Sequence, residues 1–225
     1  MARRQLNRPS ADLSLDRHLR LADQLPETLT SQTLFGNDLP LELEIGSGKG
    51  LFLATASASR PGHNLLGVEI AHAYAMHAAG RLAQQASSNA MMVSGDAEPL
   101  LEKSIPAESL VAVHIYFPDP WWKKKHKKRR VINPVSVRNL YRLLVDQGTF
   151  HFWTDVLEYF ESAIEMISVE VPEFGPPIPE EPESEGVDAP RDESGGTYRT
   201  HFDRRSLLHR IPVYRVCYVK RTRRS

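Results

Sequence analysis

Apolar residues fall along the chain in short blocks, and most of these blocks stop at an acid or a glycine. Leu41-Glu42-Leu43-Glu44-Ile45 reads as a strand that runs into Gly46-Ser47-Gly48-Lys49-Gly50 and then into the small-residue segment Leu51 to Ala56. Glycine at every second position followed by a helix lets backbone approach a nucleotide-like ligand closely. Leu65 to Ile70 is a second buried strand carrying Glu69, at the distance from the first that a βαβ unit requires. Met91 to Ala97 repeats the pattern with Asp96, and Leu110 to Phe117 delivers Asp119. Thr149 to Trp153 is a fifth strand with Thr154-Asp155 at its end, and Val213 to Val219 a last one, antiparallel at the far side of the sheet. Helical patterns lie between them at Ala71 to Ala86, at Val135 to Val145 after the cap and first position Asn133-Pro134, and at Val156 to Ser168. Strands alternating with helices make an α/β domain with a mostly parallel sheet.

Other stretches follow other rules. Met1 to Pro9 is basic and aperiodic, a mobile arm; Leu13 to Leu25 is a short amphipathic segment whose type the pattern leaves open. From Pro172 to Gly196 the composition turns to Pro, Glu, Ser and Gly, which reads as a flexible acidic loop. Residues 1–40 are thus an N-terminal arm with a short segment, and 41–225 one domain interrupted by a loop at about 173–196. His72 and His77 read as incidental surface or packing residues.

One stretch organises the chemistry. His114 to Arg130 begins as a buried strand, turns at Pro118-Asp119-Pro120, shows Trp121 and Trp122, and continues into nearly unbroken positive charge from Lys123 to Arg130. The two prolines stop both ladder and helix and give the Asp119 carboxylate a nearly fixed direction. The tryptophans offer stacking faces, and the cations can neutralise phosphates. Packing and a solvated face are the plain alternatives for each part, but their conjunction at a strand end favours a site. In an open parallel sheet ligands bind at the carboxyl ends of the strands, so Glu44, Glu69, Asp96 and Asp119 converge on one crevice. Glu44 would repel a pyrophosphate but suits the ammonium of an amino-acid moiety, which favours S-adenosylmethionine over a dinucleotide. Glu69 suits two ribose hydroxyls, the alternative being a helix N-terminal acid. Asp96 suits the adenine amino group, an N-cap, or both. Asp155 reads as an N-cap that also reaches the crevice rim, where it can accept from N1 and N2 of a guanine.

The overall balance refines this picture. With 28 basic and 28 acidic residues the formal charge is +0, yet positive charge gathers at Arg3 to Arg8, Lys123 to Arg130 and Lys220 to Arg224, and negative charge at Glu180 to Glu193. Cys217 stands alone, which excludes an internal disulfide or a cysteine-based zinc cluster and points to a reducing compartment, the cytoplasm by default. No apolar run approaches a membrane span, and no metal site is expected.

Together Glu44 to Gly50, Gly67-Val68-Glu69, Gly95-Asp96-Ala97 and above all Phe117-Pro118-Asp119-Pro120-Trp121, continuing through Lys123, His126, Lys128, Arg129 and Arg130, resemble the bacterial tRNA (guanine-N7-)-methyltransferase family. The resemblance implies a Rossmann-like class I methyltransferase fold, a mostly parallel seven-stranded sheet with an antiparallel last strand and helices on both faces. It implies that Glu44, Gly46, Gly48, Glu69, Asp96 and Asp119 hold S-adenosylmethionine and that guanosine 46 of the tRNA variable loop is the target. Lys123 and Asp155 would contact that tRNA, joined by Trp122, Lys127, Lys128, Arg130 and the segment Thr197, Tyr198, Arg199, Thr200. Asp119 and Asp155 would act by positioning, not as general bases. The chain departs from the family where a Thr-x-Tyr/Phe-Glu segment is expected: aligned on Tyr198 and Phe202, Arg199 stands in place of the glutamate, and Lys125 stands where arginine is common. The alternatives are a class I methyltransferase with another substrate and a noncatalytic RNA-binding relative; a dinucleotide oxidoreductase ranks last. Monomer and homodimer are both open.

Overall fold

The computed structural model describes residues 13–122, 124–180 and 199–221, without the side chains of 124, 127 and 128. Eight strands form one sheet in the order β1-β4-β3-β2-β5-β6-β8-β7. Strands β2 (Leu41–Ile45), β3 (Asn64–Glu69), β4 (Ala90–Ser94), β5 (Leu110–Tyr116) and β6 (Leu144–Thr154) run parallel, and β8 (Tyr214–Val219) pairs antiparallel with β6. The expected α/β class and the antiparallel last strand are both present. Two short edges join the six strands named from the sequence, so the described residues give eight strands instead of the expected seven. Strand β1 (Leu19–Leu21) lies parallel to β4, and β7 (Ile178–Pro179) pairs with β8. The segment of open type before Pro26 therefore supplies an edge strand, so the sheet begins ahead of residue 41. The first part of the expected acidic loop is likewise ordered: Pro172–Phe174 forms a 3-10 turn with Phe174 buried, and 178–179 join the sheet. Residues 1–12, 181–198 and 222–225, with the N-terminal arm and the rest of that loop, lie outside the described residues.

Helices cover both faces. α5 (Pro134–Leu143) and α6 (Leu157–Glu170) share one core with Leu43, Ile45, Val113, Ile115, Phe150 and Phe152. α2 (Leu51–Ser59) and α3 (His72–Gln84) share the other with Leu65, Met92, Tyr116 and Trp153. The remaining helices are the short α1 (Ser31–Phe35), α4 (Ala97–Pro99), which continues as a π turn, and α7 (His201–His209). Asn133 caps α5 as its sequence predicts: its Oδ1 accepts from the Ser136 N–H, the Ser136 hydroxyl oxygen accepts from the Asn133 N–H, and Pro134 occupies the first turn. The chain leaves α5 directly into β6, two residues before the expected helix end and five before the expected strand.

Successive strands run outward from β2 through β3 to β4, then return to β5 on the other side of β2. The strand order reverses between β2 and β5, which opens a crevice beyond their carboxyl ends. Glycine makes the turn there possible: Gly46, Gly48 and Gly50 have φ of 79°, 52° and 68°, a region costly for other residues. Beneath it, a Cβ on Gly67 would lie 2.2 Å from Leu53 Cδ1, 2.6 Å from Ser47 Oγ and 2.7 Å from Met92 Sδ. Leu53 and Met92 are fully buried and have nowhere to yield. Gly67→Ala should therefore destabilise by about 1–3 kcal/mol, read as a lower urea midpoint at unchanged slope.

Candidate methyl-donor and RNA site

The crevice is built from strand ends. Glu69 closes β3 and fixes two backbones at once: Oε2 accepts from the Gly48 N–H at 2.9 Å and Oε1 from the Ala71 N–H at 2.8 Å. Each oxygen keeps a second lone pair for a ligand. Gly46 and Ser47 both donate to the Val68 carbonyl, so the glycine turn is stitched to β3 along its length. Asp96 caps α4 by accepting from the Glu98 N–H at 3.0 Å, one of the two compatible roles expected of it.

Strand β2 places Glu42 and Glu44 on the same sheet face, with opposite outcomes. Glu42 accepts from Arg60 at 2.7 Å and pairs with His63 at 2.6 Å and His114 at 2.8 Å. Burial pushes its pKa up, but the His114 hydrogen bond and the neighbouring cations outweigh it and hold the carboxyl below its usual range. Glu44 is fully buried and its Oε2 has no hydrogen-bond partner among the described residues. Burial first, with the Glu69 charge adding to it against a Ser47 hydrogen bond, pushes Glu44 up to about 8. A buried carboxyl with one unpartnered oxygen at the end of β2 fits a cationic ligand group, which would both satisfy that oxygen and lower the pKa.

The turn after β5 is strained at both ends, with φ of 50° at Phe117 and 42° at Trp121. Between them Asp119 is exposed. Arg130 braces this turn. It is buried, its Nε donates to the Pro120 carbonyl at 2.8 Å, Nη1 donates to Ser162 Oγ at 3.3 Å, and its guanidinium lies 4.4 Å from the Tyr159 ring centre. Arg130 is thus a structural clamp and not the phosphate contact expected from its place in the basic run. The two tryptophans also part. Trp121 is covered by the ring of His126 at 5.8 Å and the Arg129 guanidinium at 5.2 Å, whereas Trp122 is 59 % exposed. Lys124–Arg129 form a 3-10 helix directly behind them. Lys123 lies outside the described residues, as do the side chains of Lys127 and Lys128.

On β6 the cap role anticipated for Asp155 is not filled: Val156 stands at the N-cap of α6 with no side-chain cap bond, and its N–H donates to Thr154 Oγ1 at 3.2 Å in the turn ahead of the helix. Asp155 stays half-buried at the rim with its carboxyl spared from capping. Thr197 and Tyr198 are outside the described residues. Arg199 and Thr200 are committed inward. Arg199 donates to the Tyr116 hydroxyl at 3.1 Å and to Glu180 Oε1 at 3.0 Å, and Thr200 caps α7 by accepting from the Asp203 N–H at 3.0 Å. Neither is presented as a substrate contact. The expected Thr-x-Tyr/Phe-Glu pattern is met instead at Thr200-His201-Phe202-Asp203, with aspartate as its acid, so Arg199 replaces no glutamate. Glu42, His114, Tyr116 and Glu180 escaped the sequence reading. The alternation Leu-Glu-Leu-Glu was the available signal, since two acids on one buried face demand donors across the sheet.

The doubly wound sheet, the glycine turn and the acids at its strand ends define a class I methyltransferase that uses S-adenosylmethionine. Residues 38–185 match the Methyltransf_4 family, described as a putative methyltransferase. A tRNA (guanine-N(7)-)-methyltransferase of Rhodopirellula baltica is 51% identical over 227 residues, covering 99% of this chain and 81% of that protein. One from Aeromonas hydrophila is 37% identical over 147 residues, 65% of this chain and 62% of its own length. The chain belongs to the tRNA (guanine-N7-)-methyltransferase family. Among solved structures, the 16S rRNA methyltransferase KamB shares the fold with a TM-score of 0.59 at 15% identity, over 88% of this chain and 96% of that one. Among the described residues no helix is long and apolar enough to cross a membrane, and no His, Cys, Asp and Glu group is arranged to hold a metal.

At pH 7 Glu44 with a pKa of about 8 is mostly protonated, and a ligand ammonium favours its anion. Donor binding should therefore release up to one proton at pH 7, and affinity should rise with pH until it levels near 8. Calorimetry of S-adenosylhomocysteine binding in buffers of different ionisation enthalpy reads the proton, and Glu44→Gln should abolish its release.

Proposed function

We propose that the protein transfers the methyl group of S-adenosylmethionine to N7 of guanosine 46 in the tRNA variable loop. The observation that carries this reading is the gathering at the carboxyl ends of the strands of a buried carboxyl with one unpartnered oxygen and a proline-flanked aspartate, with an exposed tryptophan and a basic helix behind it. The first two suit the donor, the last two a nucleic acid. Family membership supports the substrate.

Glu44 would take the donor's ammonium, Gly46 and Gly48 give room for close approach, Glu69 accepts from its ribose hydroxyls and Asp96 from its adenine amino group. Asp119 lies where donor and base meet. The bound donor supplies a methyl group on a sulfonium, already electrophilic. Guanine N7 has an exposed lone pair and no proton to lose, so no residue need act as a general base. What the protein must do is hold the base in line, about 3 to 3.5 Å from the methyl carbon, and keep water out. Asp155 accepts from guanine N1 and N2 and so sets the base's edge, while Trp122 stacks on a base exposed by local opening of the tRNA. Lys123, Lys127 and Lys128 contact phosphates. A lone cysteine and a tRNA substrate support a cytoplasmic setting. The noncatalytic alternative loses its motive, since Arg199 displaces no acid from the Thr200–Asp203 pattern.

Methyl transfer to unmodified tRNA, mapped by chain cleavage at N7-methylguanosine, should give one product position in the variable loop, and Asp155→Ala should lower kcat/KM about a hundredfold. Transfer to several scattered guanosines, or none, would refute the assignment. The basic run should divide in function. Neutralising Lys127 and Lys128 should flatten the salt dependence of tRNA binding by roughly 1.4–1.8 in logarithmic slope. Arg130→Gln should leave that slope alone and lower stability by about 1–3 kcal/mol.

A further inference from the structure

Arg199 sits at the end of a directional chain of buried polar groups. Burial drives the His114 pKa down to about 4, so its imidazole is neutral and can donate from one nitrogen and accept at the other. Arg199 Nη1 donates to the Tyr116 hydroxyl at 3.1 Å; Tyr116 donates to His114 Nδ1 at 2.9 Å; His114 Nε2 donates to Glu42 Oε2 at 2.8 Å. This polarity leaves every donor and acceptor along the line matched. The same Nη1 donates to Glu180 Oε1 at 3.0 Å, and Glu180 Oε2 accepts from Trp153 Nε1 at 2.8 Å and pairs with His151 Nδ1 at 3.0 Å. Trp153 is itself flanked by two guanidiniums, Arg199 at 4.7 Å and Arg215 at 4.9 Å from its ring centre.

Each group in this network lies next to something the crevice needs. Tyr116 closes β5 and leads into Phe117-Pro118-Asp119; Trp153 leads into Thr154-Asp155. The Arg199 backbone N–H donates to Asp203 Oδ2 at 3.0 Å, and Asp203 Oδ1 pairs with Arg215 at 2.9 Å, which seats the first turn of α7. From that turn Phe202 stacks on Phe117, 5.9 Å between ring centres and 18° apart, and His201 meets Arg81 at 3.4 Å, within the field of Lys49 in the glycine turn. α7 therefore walls the crevice, and one guanidinium ties it to the ends of β5 and β6.

We propose that Arg199 is a positioning residue for methyl transfer: without touching donor or base, it locks α7 and the β5 and β6 ends carrying Asp119 and Asp155 into one rigid unit. This rests on the crevice being the methyl-transfer site. Removing the guanidinium outright would take a cation from Glu180 and the donor from the Tyr116 hydroxyl at once, at the risk of unfolding, so the informative variants are milder. Arg199→Lys keeps the charge beside Glu180 but loses the fixed fork, and Tyr116→Phe removes only the hydroxyl.

The test is a double-mutant cycle on tRNA methylation, run well below each variant's unfolding midpoint, with hydrogen exchange on the same proteins. Each single variant should lower kcat about tenfold with KM for tRNA changed less than twofold, and the double variant should be no worse than the poorer single. Amides of 201–209 and of Asp155 and Val156 should exchange faster in both variants, while those of β2 and β3 do not. Full kcat in folded variants, effects that multiply, or unchanged exchange in α7 would each overturn the inference. If wild type methylates no tRNA, the functional reading fails separately, and the exchange pattern still decides whether Arg199 holds α7 and the β6 end.

Discussion

A carboxylate on a buried strand must find a donor, and β2 carries two on one face. Glu42 finds three partners across the sheet and becomes structural. Glu44, two residues on, keeps one oxygen with no partner among the described residues. An orphaned buried acceptor costs roughly 1–3 kcal/mol, and burial of the ionised form costs more, which the rise in its pKa partly relieves. Such a cost fits the proposed role of this end of β2 in binding, where a cationic ligand group would complete what the sheet leaves undone. The glycine turn follows from the same demand, since only a backbone without Cβ atoms at left-handed positions lets a ligand come up to the end of β2.

The other side of the crevice is solved by bracing. Phe117 and Trp121 both have positive φ, a strain that persists only where the surroundings over-determine it. Here they do: the Phe117 N–H donates to the Trp153 carbonyl, Arg130 holds the Pro120 carbonyl from behind, and Trp121 lies against His126 and Arg129. The last member of the basic run turns inward to fix the turn, while Trp122 ahead of it stays exposed.

This division also explains what could be read from the sequence. Five interior strands, the last antiparallel strand and the acids at the strand ends were legible because each strand is an apolar run long enough to stand alone. Asn133-Pro134 was legible because capping is local. The edges were not: Leu19–Leu21 and Ile178–Pro179 are strands only because β4 and β8 offer them unpaired backbone. Glu180 was hidden in a Pro- and Glu-rich stretch whose composition reads as solvated. Arg130 among six other cations and a histidine, or Arg199 beside an unfamiliar motif, cannot be sorted into inward and outward by composition, since that depends on which side chain the fold turns toward a carbonyl or a carboxylate.

Asp155 shows the same dependence in reverse. Its position invites a cap, and a capping carboxylate would be spent on the first turn of α6. Thr154, one residue earlier, accepts the Val156 N–H with a hydroxyl that is already fully buried at the end of β6. That bond closes the turn between β6 and α6, and α6 begins without a side-chain cap. The carboxylate is then left at the rim with its acceptors unspent, beside a tryptophan whose position is fixed by Glu180 and flanked by Arg199 and Arg215. A side chain at that position takes its direction from the strand end, and β6, paired on both sides, supplies a rigid one.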